Sequence, residues 1–145
     1  MTKLEELMNE WAKDSQIDRT EPGKALIDIP QLHSKYLNIL SRHKLLCKEA
    51  DFKYSRMKKI KWEYYTGKMS QEDLDKYGWE PFRFTLKSDI TTYLESDGHL
   101  IKLLQDKMMH DEVCEACVAI LKELNNRTWQ LREHMTHERF IQGAR

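Results

Sequence analysis

Proline, glycine and cysteine are all scarce in this sequence. Three prolines and five glycines among 145 residues leave long stretches free of helix breakers. The glycines are single and dispersed, so no glycine-rich loop is available to cradle a phosphate. Three cysteines, an odd number in a chain with no sign of secretion, are expected to be reduced thiols. No apolar run approaches the roughly 20 residues needed to span a bilayer, so no membrane partner is expected. The opening segment, MTKLEELMNEW, lacks the apolar core of a signal peptide, which predicts cytoplasmic residence. There is no internal repeat and no low-complexity segment. No Ser/His/Asp or Cys/His arrangement has a recognisable context, and the acidic run Glu72, Asp73, Asp75 lacks the spacing of a calcium loop. The reading is therefore of a protein that is not an enzyme and needs no cofactor.

What the sequence does have is charge, unevenly placed. Charged residues make up 33% of the chain, the mean hydropathy is −0.76 and the net charge is zero. From Arg42 to Lys68 nine Lys or Arg face three Asp or Glu, a surplus of six positive charges. From Met69 to Asp97 three basic residues face seven acidic ones. A neutral protein with one basic block is not a general polyanion binder; it has a local basic feature.

The spacing predicts a mostly α fold of long amphipathic helices with a short extended segment near residues 82–87. Thr2 caps a first helix, Lys3 to about Lys13, with Leu4, Leu7, Met8 and Trp11 on one face. Asp14 to Gly23 reads as a loop, with Glu21-Pro22-Gly23 as a turn. Pro30 is placed in the first turn of a second helix that runs to about Tyr65 and ends at Thr66-Gly67. Its apolar stripe runs from Tyr36 through Leu40, His43, Cys47, Ala50, Tyr54, Met57 and Ile60 to Tyr64. Ser70 and Gly78 bracket a short helix. Phe82, Phe84 and Leu86 alternate with Arg83, Thr85 and Lys87, the period of a strand. Ser88-Asp89 caps a short helix, Ile90 to Glu95. Asp97 caps the last, Gly98 to about Gln142, whose continuity at Asn125-Asn126 is open. A heptad-like frame fits this helix and is nearly all apolar from Cys114 to Met135. Self-association through it, at Cys114, Cys117, Leu121, Leu124, Leu131 and Met135, is the natural inference.

The stretch Arg56 to Lys68, RMKKIKWEYYTGK, holds five basic and three aromatic residues in thirteen positions. Cations suit phosphates and aromatic faces suit unstacked bases, so this is the composition of a single-stranded nucleic-acid site. The candidate contacts are Arg56, Lys58, Lys59, Lys61, Trp62, Tyr65 and Lys68. With no helix-turn-helix, zinc-finger or RNA-recognition signature, binding is expected to be sequence-independent and salt-sensitive. Two other readings stand beside it. One is a helical oligomeric adaptor with no direct DNA binding, whose basic residues are a solvated face. The other is a metal site at His110, Cys114 and Cys117, which share one helix face; a buried thiol on an apolar frame more simply packs, and no metal is expected.

At Lys59-Ile60-Lys61-Trp62-Glu63-Tyr64-Tyr65-Thr66-Gly67-Lys68 the sequence resembles the UvsY family, the recombination mediator proteins of T-even-type bacteriophages. The likeness continues in order through Leu4-Glu5-Glu6-Leu7, Ile17-Asp18-Arg19-Thr20 and Ser34-Lys35-Tyr36-Leu37-Asn38 to Cys117 and Arg127-Thr128-Trp129. It implies a protein that binds single-stranded DNA and loads a phage strand-exchange recombinase onto strand covered by the phage single-strand binding protein, contacting both. It implies a ring, a homo-oligomer of six or seven subunits assembled through the C-terminal helical part, in the cytoplasm of the infected bacterial host. The family's two basic DNA-binding positions fall on Lys59 and Lys61, the second often Arg in relatives; Trp62 stands where an aliphatic residue is usual. The domain reading is one compact protomer: residues 1–97 a helical DNA-binding region, residues 98–145 a helical oligomerisation region.

Overall fold

The computed structural model describes residues 2–82 and 86–143. They form five α-helices and one short 3-10 turn: α1 (Lys3–Asp14), α2 (Pro22–Tyr65), α3 (Gln71–Tyr77), the 3-10 turn Lys87–Asp89, α4 (Ile90–Ser96) and α5 (Gly98–Gly143). No strand occurs among the described residues. Of the segment expected to be extended near residues 82–87, Arg83, Phe84 and Thr85 lie outside the described residues. Leu86 is extended, at φ −68° and ψ 140°, and Lys87 already belongs to the 3-10 turn.

Helix boundaries follow local chemistry. The Thr2 hydroxyl accepts from the Glu5 N–H at 3.1 Å while the Glu5 carboxylate accepts from the Thr2 N–H at 3.0 Å, a reciprocal box that satisfies two otherwise orphaned donors. Ser70 caps α3 by accepting from the Asp73 N–H at 3.2 Å, and Gly78 ends it at φ 69°, a left-handed conformation that needs glycine.

Three expectations are corrected. Helix α2 starts at Pro22, not near Pro30, which lies inside it. Either proline suits a first-turn position, which needs no N–H; Pro22 takes that role, and the Glu21 carbonyl accepts from Ala25 at 3.2 Å to open the helix. Pro30 is carried in the interior at the loss of one backbone bond. Asp89 makes no side-chain cap to α4, because the 3-10 turn feeds directly into that helix. Met8, expected on the buried face of α1, is half exposed. Helix α5 is continuous through Asn125-Asn126.

The chain divides into two compact units, and each long helix contributes to both. One unit takes the residues up to Leu45 and those from Met109 onward. Its core is Leu7, Tyr36, Leu40, Val113, Cys117, Ile120 and Leu124. The α1 helix is tied into it by polar contacts as well. Lys35 Nζ sits 2.6 Å from both Glu10 Oε2 and Asp14 Oδ2, and the Tyr36 hydroxyl donates to Asp14 at 2.8 Å. Arg127 donates to the Ser15 carbonyl at 2.9 Å and covers the Trp11 ring. In the same unit the Nδ1 atoms of His43 and His110 lie 3.0 Å apart. One ring donates and the other accepts, so the pair is complete only when at least one ring is neutral. Burial, then the neighbouring His110, Lys3 and Arg42, hold His43 below the ordinary histidine value. The second unit, Leu46–Met108, buries Ala50, Leu74 and Leu100 and carries the basic stretch.

Candidate nucleic-acid interface

The basic stretch is the last third of α2 and its exit. Thr66 Oγ1 folds back to the Trp62 carbonyl at 2.8 Å. Gly67 takes φ 74°, and the N–H groups of Gly67 and Lys68 reach the carbonyls of Tyr64 and Glu63 at 3.1 and 2.9 Å. This paired return of two N–H groups closes the helix and turns Lys68 back beside it. There its ammonium lies 4.7 Å from the centre of the Trp62 ring.

The candidate residues separate into two groups. Arg56, Lys58, Lys59, Trp62 and Lys68 are exposed. Lys61 and Tyr65 point inward. Lys61 is 8% exposed, its ammonium 3.1 Å from Asp97 Oδ2 and 4.1 Å from the centre of the Trp79 ring. The Tyr65 hydroxyl donates to the same Asp97 Oδ2 at 2.6 Å. The other oxygen, Asp97 Oδ1, accepts from the Leu100 N–H at 3.0 Å and so caps α5. Burial works against ionisation of Asp97, but the bonds from Tyr65, Leu100 and Lys61 outweigh it and hold the carboxyl below the usual aspartate value. Burial, then the bond to Asp97, raises the Tyr65 phenol.

Aromatic rings fill the space around this carboxylate. Tyr65 stacks on Tyr93 at 5.6 Å and 23°, and Phe82 meets Tyr65 edge-on at 5.1 Å. Tyr64 packs on Trp79 and donates to the Glu80 carbonyl at 2.7 Å. Sequence reasoning missed the inward position of Lys61. A signal was present: Tyr54, Met57, Lys61, Tyr64 and Tyr65 keep the three- and four-residue spacing of a buried stripe, with Lys61 inside it.

On α5, Cys117, Leu124 and Leu131 are buried within the protomer, and Cys114, Leu121 and Met135 are half-buried. Burial raises the Cys117 thiol to about 11. The large apolar side chains that α5 leaves to solvent after residue 109 are Val118, Trp129, Phe140 and Ile141. Among the described residues, no group of three or more His, Cys, Asp or Glu is placed to hold a metal ion, and no helix is long and apolar enough to cross a membrane.

The fold is that of the bacteriophage T4 recombination mediator protein UvsY. One crystal form of that protein superposes with TM-score 0.82 over 99% of each chain at 22% identity. A second gives 0.80 over 96% of this chain and 98% of that one at 20% identity, and a third 0.80 over 93% and 98% at 21%. No curated protein sequence matches the chain. The family described as recombination, repair and single-stranded-DNA-binding protein UvsY matches residues 10–144. That match takes in both long helices and the whole basic stretch, and on it the chain belongs to the UvsY family.

Proposed function

We propose that this chain is a recombination mediator. It binds single-stranded DNA through the exposed basic and aromatic side chains at the end of α2. It then loads a strand-exchange recombinase onto strand covered by a single-strand binding protein. One observation carries the reading: Arg56, Lys58, Lys59, Trp62 and Lys68 lie exposed on a segment whose underside is fastened by Lys61 and Tyr65 to one carboxylate. The two groups have different work. The outer side chains neutralise phosphates and offer a ring to a base. Lys61 and Tyr65 hold the helix that presents them.

Self-association belongs to the same reading, with residues 98–145 as the assembling region and six or seven subunits in a ring. Val118, Trp129, Phe140 and Ile141, exposed on α5, suit contact with further copies better than Cys117 and Leu124, which the protomer already covers. Repeating the basic segment in each subunit converts weak contacts into avid binding without any new contact. A strand held at several points is distorted, which favours exchange of its covering protein for the recombinase.

The test is a fluorescence-anisotropy titration of a labelled single strand across a salt series, with oligomer mass measured alongside, for the wild type and Lys58→Ala/Lys59→Ala. The double variant is expected to stay oligomeric, bind more weakly and lose about 1.4 from the log–log salt slope, at ~0.7 per phosphate contact on single strands. It is also expected to fail in stimulating recombinase ATPase on strand coated with the single-strand binding protein. Unchanged binding and stimulation would overturn the reading.

A further inference from the structure

Helix α2 carries a second oddity on its outward side. Phe52 lies nine residues before the buried Lys61, two and a half helical turns, and therefore faces the opposite way. It is 56% exposed, on a side that is polar apart from Leu45, about two turns earlier and 69% exposed. Its neighbours on that side, by the 100° step of an α-helix, are Lys48, Arg56 and Lys59, with Trp62 at the far margin. Lys48, Arg56 and Lys59 are all exposed, and Trp62 is 40% exposed. The order along the helix is cation, ring, cation, cation, ring, over about 21 Å at 1.5 Å per residue. Two acids share this side: Glu49 toward its margin, and Glu63, half-buried, in line with Phe52 at the far end.

We propose that the single-strand site extends along α2 to Lys48, with Phe52 as a base-stacking platform and Lys48 as a phosphate contact. The proposal rests on the DNA-binding reading above and lengthens its site toward the middle of the helix. An exposed phenyl ring is out of place on a solvated face but suits a base, since every base has a flat face and stacking is indifferent to sequence. The cations before and after it supply the complement to a phosphate chain, which an apolar protein partner would not reward. Trp62 and Phe52 together give two stacking points, so the strand runs along the helix rather than across it.

The experiment compares a thymidine oligonucleotide with an abasic deoxyribose-phosphate strand of the same length. Anisotropy is followed across a salt series for the wild type, Phe52→Ala, Phe52→Tyr, Lys48→Ala and Lys59→Ala, and oligomer mass is measured for each. Phe52→Ala is expected to lose about tenfold in affinity for the thymidine strand. It keeps the wild-type salt slope and loses preference for the base-bearing strand; Phe52→Tyr retains both. Lys48→Ala is expected to lower the slope by ~0.7 on both strands. Equal losses on the two strands for Phe52→Ala, or no loss, would overturn the stacking platform. A fall in oligomer mass would overturn it too, by assigning Phe52 to contact between copies. An unchanged slope for Lys48→Ala would end the site at Arg56. Lys59→Ala separates the two readings: if it weakens binding while Phe52→Ala and Lys48→Ala do not, only the extension fails, and if none of them does, the DNA-binding reading fails with it.

Discussion

Phe52 and Lys61 stand on opposite sides of α2, each on the side where its chemistry is least expected. The phenyl ring is out in solvent and the ammonium is inside, against Asp97 and the Trp79 ring. A helix needs a reason for such an inversion. The inner half has one in hand, because the buried charge is matched by a carboxylate at 3.1 Å.

That pairing predicts an asymmetry among variants. Removing one partner of a buried ion pair strands the other charge and costs about 3–5 kcal/mol. Lys61→Met alone and Asp97→Asn alone are each expected to fall in that range in urea denaturation. The double variant should lose less than the sum of the two, because it leaves no orphan charge. Additive losses would mean the pair is not coupled.

The same residue discriminates contact from support. If Lys61 holds the helix and does not touch phosphate, Lys61→Ala weakens single-strand binding while the salt slope stays at the wild-type value. Lys59→Ala should lower the slope by ~0.7. A slope that falls equally in both variants would place Lys61 on the strand.

Acid sensitivity follows from Asp97. Its carboxyl titrates below the usual aspartate value, so the folded form holds fewer protons than the unfolded chain as pH falls past about 4. The stability it contributes is complete above that pH and is lost as pH drops through the folded value. Urea midpoints measured from pH 7 to pH 3 should decline less steeply in Asp97→Asn than in the wild type.

His43 produces a separate, milder step. Burial and the cations around it depress its value, so in the folded chain it stays neutral where the unfolded histidine, near 6.5, takes a proton. The stability it contributes is present above about pH 6.5 and is lost as pH falls through the folded value. His43→Leu should flatten the pH dependence of the urea midpoint in that window; a profile matching wild type would exclude the pair as its source.

On α5 the buried and exposed apolar residues should part company. Leu124→Ala empties a fully covered core position and is expected to cost about 2–5 kcal/mol. Trp129→Ser changes a ring that is mostly in solvent, so it should leave protomer stability nearly unaltered and lower the oligomer mass by sedimentation. Unchanged mass would move the assembly surface elsewhere on the helix.

Much of this was legible from spacing. The positions named on the heptad frame of α5, from Cys114 to Met135, are all buried or half-buried. The caps at Thr2, Ser70 and Asp97, and the stops at Gly67 and Gly78, act through one or two residues and were therefore visible locally. What escaped was long-range. Lys61 reads as a phosphate contact because its charge is visible in sequence and its partner, thirty-six positions away, is not. Pro22 and Pro30 both fit a helix start, and only the register of the folded helix chose between them. Phe52 lies off the apolar stripe of α2, so spacing alone gives it no role.

Asp97 carries two obligations with two oxygens: one caps α5, the other receives Lys61 and Tyr65. Serine, threonine and asparagine all cap helices well, but none brings a negative charge for an inward lysine. Sequence drift at position 97 is therefore barred from the substitutions most natural to a helix start, unless position 61 changes in step. A capping site, ordinarily among the more interchangeable places in a helical protein, is here locked to a residue on another helix.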